Sequence, residues 1–339
     1  TAVSQHSIIE PLTVGPQTIE PLAKGSWKLA PGARRALLAT WADQPARLRQ
    51  IHQDAAHHFE ARAAKAPDPE TEREMARQAI GHILIVDEQE GCTRVRNLFA
   101  QYEAAHLLTA CDALLRRAKT VKGLTKSTRP WLDFLQGRLM LAQGEYAKAV
   151  EQLGRVREAV DPASELRMLA GIGLAECAAG QNEWSRAIEL CEGIPEYYTA
   201  RKEPSRAGKV LLLVGDAYRK QAQALGGPIE LTPDLSGTRG WLAAIPPMLV
   251  ALPFVLYARL VRSWRSLPPV HLGLSFRNWT FMRLLLSARA CYHDAQDTYQ
   301  GAGLEDRQME VWHRLAQTNH LLGQWQDASE RYDTLLHSP

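Results

Sequence analysis

From Leu235 to His293 the sequence contains no aspartate or glutamate, although 37 acidic residues are spread over its 339 positions. The same stretch carries Arg239, Arg259, Arg262, Arg265, Arg277, Arg283 and Arg289, while the whole chain has a net charge of only +3. A balance so near neutral argues against nucleic-acid binding driven by overall charge. Cysteine is sparse too. Cys92, Cys111, Cys177, Cys191 and Cys291 are odd in number and never form a Cys-x-x-Cys pair. That excludes a disulfide frame or a zinc site of ordinary spacing, and it fits reduced thiols in a cytoplasmic protein. The opening "TAVSQHSIIEPLTVGP" has no basic start followed by an apolar run, so no secretion leader is expected there. Strand–helix alternation is missing, which sets aside a parallel α/β sheet.

What is present is the composition of a folded protein, 45% apolar and 23% charged. Residues 1–30 are rich in Pro, Gly, Ser and Thr, with short β-branched runs at Ile8, Ile9 and Val14, and predict an extended segment. Helical periodicity takes over from Pro31. "PARLRQIHQDAAHHFEARAAK" sets Leu48, Ile51, Ala55 and Phe59 on one face, and "PDPETEREMARQAIGHILIVDE" opens with proline and acids, a helix-start pattern. With "RVRNLFAQYEAAHLLTACDALLRRAK" these predict a helical arm over 31–130.

A repeat follows. In "FLQGRLMLAQGEYAKAVEQLGRV", Gly137 precedes Gly144, Tyr146, Ala149 and Leu153. In "MLAGIGLAECAAGQNEWSRAIELC", Gly173 precedes Gly180, Trp184 and Ala187, with two extra turn residues. In "VWHRLAQTNHLLGQWQDASERYDTLL" the matching set is Trp312, Leu315, Ala316, Gly323, Trp325, Ala328 and Tyr332. A fourth copy is split: "LLLVGDAYRKQAQ" supplies Leu211, Val214, Gly215 and Tyr218, and its second helix resumes in "RLLLSARACYHDAQDTYQGAG", where Ala295 lies 33 residues before Ala328. These spacings resemble the tetratricopeptide repeat, and the resemblance implies an all-α superhelix in which no helix pair buries its own apolar face. The expected organisation is repeats over 131–223, an insertion over 224–280 and repeats again over 281–339. The groove of such a solenoid would place Arg138, Arg219, Gln317 and Asn319 against a partner protein.

The arm resembles the junction between winged helix and repeats in bacterial STAND-type signalling ATPases, through Arg34-Arg35-Ala36-Leu37-Leu38 before Trp41, Leu48-Arg49-x-x-His52-x-x-Ala55-Ala56-x-x-Phe59, and Ala79-x-x-His82. In that family the repeat region senses or docks a trigger protein. The nucleotide-binding module of the family has no counterpart in this sequence, so ATP-driven switching does not carry over.

The insertion contains an uncharged run, Trp241–Ala258, followed by arginines at a spacing of three. A helix of that length would be about 27 Å long, near the thickness of a bilayer core, but Pro246, Pro247 and Pro253 interrupt it. Leu249, Leu252, Leu256, Leu260 and Trp264 form an apolar stripe, with Arg259 at its border and Arg262 and Arg265 off it. Trp241, Tyr257 and Trp264 are of the type that anchors at a membrane interface. Three readings stay open for the run: packing on the solenoid, docking to a partner protein or second subunit, and contact with the inner face of a membrane through 241–265.

Chemical motifs are weak. "VKGLTKST" (121–128) has Thr125 where a phosphate-binding loop requires glycine before Lys126-Ser127, and no strand leads into it. His52, His57, His58 and His82 have no acidic ligand at a metal-binding offset. His293 and Asp294 are adjacent and would point about 100° apart on a helix. The expectation is a non-enzymatic scaffold, sensor or regulatory module that binds a protein, with a membrane-associating adaptor as the alternative. It needs no cofactor, metal, nucleic acid or small-molecule substrate.

Overall fold

The computed structural model of the chain describes residues 19–22, 26–29, 44–226 and 276–337. The fold is all-α apart from one short hairpin, in which β1 (Ile19–Leu22) pairs antiparallel with β2 (Ser26–Leu29). Two compact units divide the chain, Thr1–Leu135 and Gln136–Pro339.

In the first unit, α1 (Pro45–Ala63) and α2 (Pro69–Val86) both start with proline, which fits the first turn because that turn has no use for its missing N–H. Asp68 caps α2: its carboxylate accepts from the Thr71 N–H at 2.8 Å, and Glu70 and Glu72 follow in the first turn, where the helix dipole favours them. Asp87 ends α2 and caps α3 (Glu88–Ala104) in the same way, accepting from the Glu90 N–H at 2.9 Å. α1 and α2 close on Ala56, Ala79 and Ile83, with Phe59 packed against them. In α4 (Leu108–Lys119), Cys111, Leu114, Leu115 and Ala118 are buried, and Arg116, Arg117 and Lys119 occupy the last turn.

α5 (Thr128–Ala142) runs across the boundary, and the second unit continues as helix pairs. They are α6 (Tyr146–Ala159), α7 (Glu165–Gly180), α8 (Trp184–Leu190), α9 (Ile194–Ala200), α10 (Pro204–Ala224), α11 (Phe276–Gly301), α12 (Glu305–Leu321) and α13 (Trp325–His337). One turn recurs. Gly144, Asn182 and Gly323 take φ of 76°, 63° and 74°. Beyond each, the next N–H reaches back into the preceding helix: Glu145 to the Met140 carbonyl at 2.9 Å, Glu183 to Ala178 at 2.8 Å and Gln324 to Asn319 at 2.9 Å. Five residues after each turn residue stands a buried alanine, Ala149, Ala187 or Ala328, and small side chains there let the helices approach closely.

This turn corrects the alignment of the second repeat. Gly180 is not the turn glycine; it ends α7, and Asn182 holds the left-handed position, which asparagine tolerates better than most residues. Gly180 serves packing instead, since a Cβ on it would lie 2.5 Å from the ring of Tyr146. Counted back from the turn, Ala175 rather than Gly173 occupies the place of Gly137 and Ala316. The long gap between α10 and α11 does not separate them in space. Added Cβ atoms at Gly208 and Gly215 would lie 2.3 Å and 2.5 Å from the rings of Tyr299 and Tyr292, both wholly buried in α11. Among the described residues no helix is long and apolar enough to cross a membrane.

Candidate functional site

The helices that lead each pair, α5, α7, α10 and α12, are tied to one another by charge. Arg138 on α5 is hydrogen-bonded to Glu176 on α7. Arg206, in the first turn of α10, pairs with Glu165 in the first turn of α7 at 2.5 Å. Asp216 on α10 accepts from Arg314 Nε on α12 at 2.9 Å. Each consecutive pair of leading helices thus carries an arginine–carboxylate bridge. The register explains the row: Arg138, Glu176 and Gln317 each stand six residues before the turn residue, and Asp216 follows Gly215 as Arg138 follows Gly137.

Asp216 is the most heavily bonded of these groups. Its Oδ1 accepts from the Tyr292 hydroxyl at 2.8 Å and from Arg219 Nη2 at 3.1 Å, while its Oδ2 takes Arg314. The side chains are mostly sheltered: Arg219 is 13% exposed, Arg314 22% and Asp216 28%. Burial first, and then the neighbouring carboxylate, push the Tyr292 phenol far above its ordinary value, so it stays protonated and can only donate to Asp216. Partly buried charge-assisted bonds of this kind are stronger than neutral ones and hold helix register.

Of the residues expected in a groove, Arg138 and Arg219 therefore lie in this row with their guanidinium groups engaged inside the molecule. Gln317 is half-buried and bonded to His313 at 2.7 Å. Asn319 is buried at 4% exposure, and its Oδ1 has no hydrogen-bond partner. The residues expected to form the apolar contact, Trp241 through Arg265, lie outside the described residues.

Other sequence features find structural explanations. The loop resembling a phosphate cradle binds a carboxylate of the chain itself: the Thr125 N–H and hydroxyl donate to Glu88 Oε1 at 2.7 Å and 2.8 Å. His52 and His82, thirty residues apart, meet with their Nδ1 atoms 2.8 Å from each other, and His82 stacks on Phe59 at 5.7 Å. The contact joins two helices, so spacing along either one does not show it. No group of three or more His, Cys, Asp or Glu among the described residues is placed to hold a metal ion. His293 is lowered by burial, then by Arg331 and Arg289, and so is held neutral.

No family model matches the chain, and no curated protein matches it.

Proposed function

We propose that the chain is a non-enzymatic protein-binding module, a scaffold or sensor built on tetratricopeptide-like repeats, as in the repeat regions of STAND-type signalling proteins. The observation that carries this reading is the recurrent helix pair, with one turn and one buried alanine repeated at Gly144/Ala149, Asn182/Ala187 and Gly323/Ala328. Arrays of this kind expose long, regularly spaced surfaces whose polar positions can be varied without disturbing the core. The row of Arg138, Glu176 and Gln317 lies at the edge of that surface: Arg138 and Glu176 pair with each other, and Gln317 is the uncharged member. Retention of proteins from cytosol on the immobilised chain tests it, with Gln317→Trp as the control; because Gln317 is half-buried, circular dichroism checks that the variant folds. The reading predicts a protein held by the wild type and lost from the variant. It fails if nothing is held, or if both columns hold the same proteins.

A membrane-associating adaptor is the second reading, and it rests on the acid-free, arginine-bearing sequence around 241–265. Flotation with anionic vesicles, compared with a chain carrying a Gly/Ser linker in place of residues 236–270, separates the two. Flotation lost on replacement supports lipid contact, whereas no flotation by either chain removes this reading.

A further inference from the structure

On the side where the second helices α6 and α8 flank α7 lies a half-open cavity of about 350 Å³. Leu174 and Ala178 of α7, both buried, supply its apolar floor together with Leu190 of α8. Arg157, Arg167 and Arg186, contributed by three different helices, also line it, against a single carboxylate, Glu158. Two of these arginines are fixed in place. Arg167 Nη1 donates to the Arg157 carbonyl at 3.0 Å, and Arg186 Nη1 pairs with Glu183 at 3.0 Å. The Arg157 side chain has no ion-pair partner among the described residues. Three guanidinium groups around an apolar floor, against Glu158 and the Glu183 already paired with Arg186, complement an anion that has an aliphatic part.

We infer that this cavity docks an acidic peptide segment of a partner protein, one aliphatic side chain resting on Leu174 and Ala178 and its flanking carboxylates meeting Arg157, Arg167 and Arg186. The inference rests on the protein-binding reading and adds to it the partner's chemistry and a second surface, apart from the row of Arg138 and Glu176. Guanidinium groups suit carboxylates because their paired N–H donors match both oxygens. The apolar floor supplies burial that a simple ion exchanger would lack, an apolar centre within a polar rim.

The test is fluorescence anisotropy with a labelled Asp-Glu-Leu-Glu-Asp peptide added to the full chain. Two variants accompany the wild type. Arg157→Glu reverses an unpaired charge. Gly154→Trp fills the cavity from a position where an added Cβ meets nothing within 4 Å. Circular dichroism checks that each folds. Saturable binding by the wild type is expected, weakened about tenfold or more by either variant and by higher salt. Replacing the peptide's leucine with serine should weaken it about fivefold. Equal binding by wild type and both folded variants overturns the site. Binding that ignores the leucine, or that inorganic phosphate abolishes at a concentration equal to the peptide's, overturns the peptide in favour of a small anion. A wild type that ignores the peptide also overturns this inference, while the protein-binding reading then stands or falls on the retention experiment alone.

Discussion

The hydroxyl of Tyr292 donates to Asp216 Oδ1 at 2.8 Å, joining α11 to α10 across the residues that separate them in sequence. The same carboxylate receives Arg314 from α12. One acidic side chain therefore ties three helices; losing it leaves the sheltered Arg219 without its carboxylate, while Arg314 keeps Glu310 at 2.8 Å.

Asp216→Ala should accordingly cost about 3 kcal/mol in urea unfolding, the scale for removing one member of a partly buried ion-pair network. Tyr292→Phe, which removes only a hydroxyl, should cost about 1–2 kcal/mol. In a double-mutant cycle, Asp216→Ala and Arg314→Ala should be less than additive by about 1 kcal/mol, since either substitution alone already breaks the bond between them. Additive costs would mean that the contact contributes nothing to stability.

Glycines in the second unit separate by what lies over them. A methyl at Gly215 would meet the buried ring of Tyr292 at 2.5 Å, and one at Gly208 the ring of Tyr299 at 2.3 Å. Gly154, inside α6, faces open space. Alanine at Gly208 or Gly215 is expected to destabilise by about 1–3 kcal/mol through overpacking. Alanine at Gly154 should stabilise by about 0.5–1 kcal/mol, because it restricts the unfolded chain and favours helix. Thermal melts of the three variants check the difference in sign.

Most of the fold was legible because it rests on short-range spacing. Gly144, Ala149, Gly323 and Ala328 mark their turns and buried faces by position alone, and the capping acids Asp68 and Asp87 stand where helix starts need them. The misread turn at Asn182 shows the limit of that approach, since glycine is the usual but not the required residue there. The charged row was only partly legible. Arg138 and Arg219 stood out as polar residues on leading helices, but nothing in the sequence pairs Arg314 with Asp216, 98 positions away. Such a pairing follows from how the helices stack, as does the meeting of His52 with His82.

The thiols should respond to pH through burial. Cys177 and Cys191 lie in the packed interior, where burial pushes their thiols up to about 11 and about 12 from an ordinary 9.0. A thiol whose folded value exceeds its unfolded value favours the native state fully below pH 9, and that stabilisation disappears as pH rises toward the folded values. Unfolding midpoints should therefore fall between about pH 9 and pH 11, and substituting Cys177→Ala and Cys191→Ala together should flatten the fall. At neutral pH a thiol reagent should reach Cys291, which is partly exposed, well before the other four, which react on unfolding. Rapid labelling of Cys177 or Cys191 in the folded chain would contradict their burial.

Trp325 occupies the position two residues after its turn residue that Tyr146 and Trp184 occupy after theirs. Tyr146 lies over Gly180 of α7, and Trp184 packs on the cluster that includes Ala187 and Tyr198. Trp325 is 62% exposed, its ring perpendicular to that of His320 with the centroids 4.2 Å apart. The same sequence position therefore has different energetic weight in different copies. Tyr146→Ala should cost about 2 kcal/mol, the lower range for truncating a large side chain that is only partly buried. Trp325→Ala should cost less than about 0.5 kcal/mol, as expected of a surface residue. A cost for Trp325→Ala as large as that for Tyr146→Ala would mean that its ring is covered in solution, and analytical ultracentrifugation of the wild type would then show whether a second copy covers it.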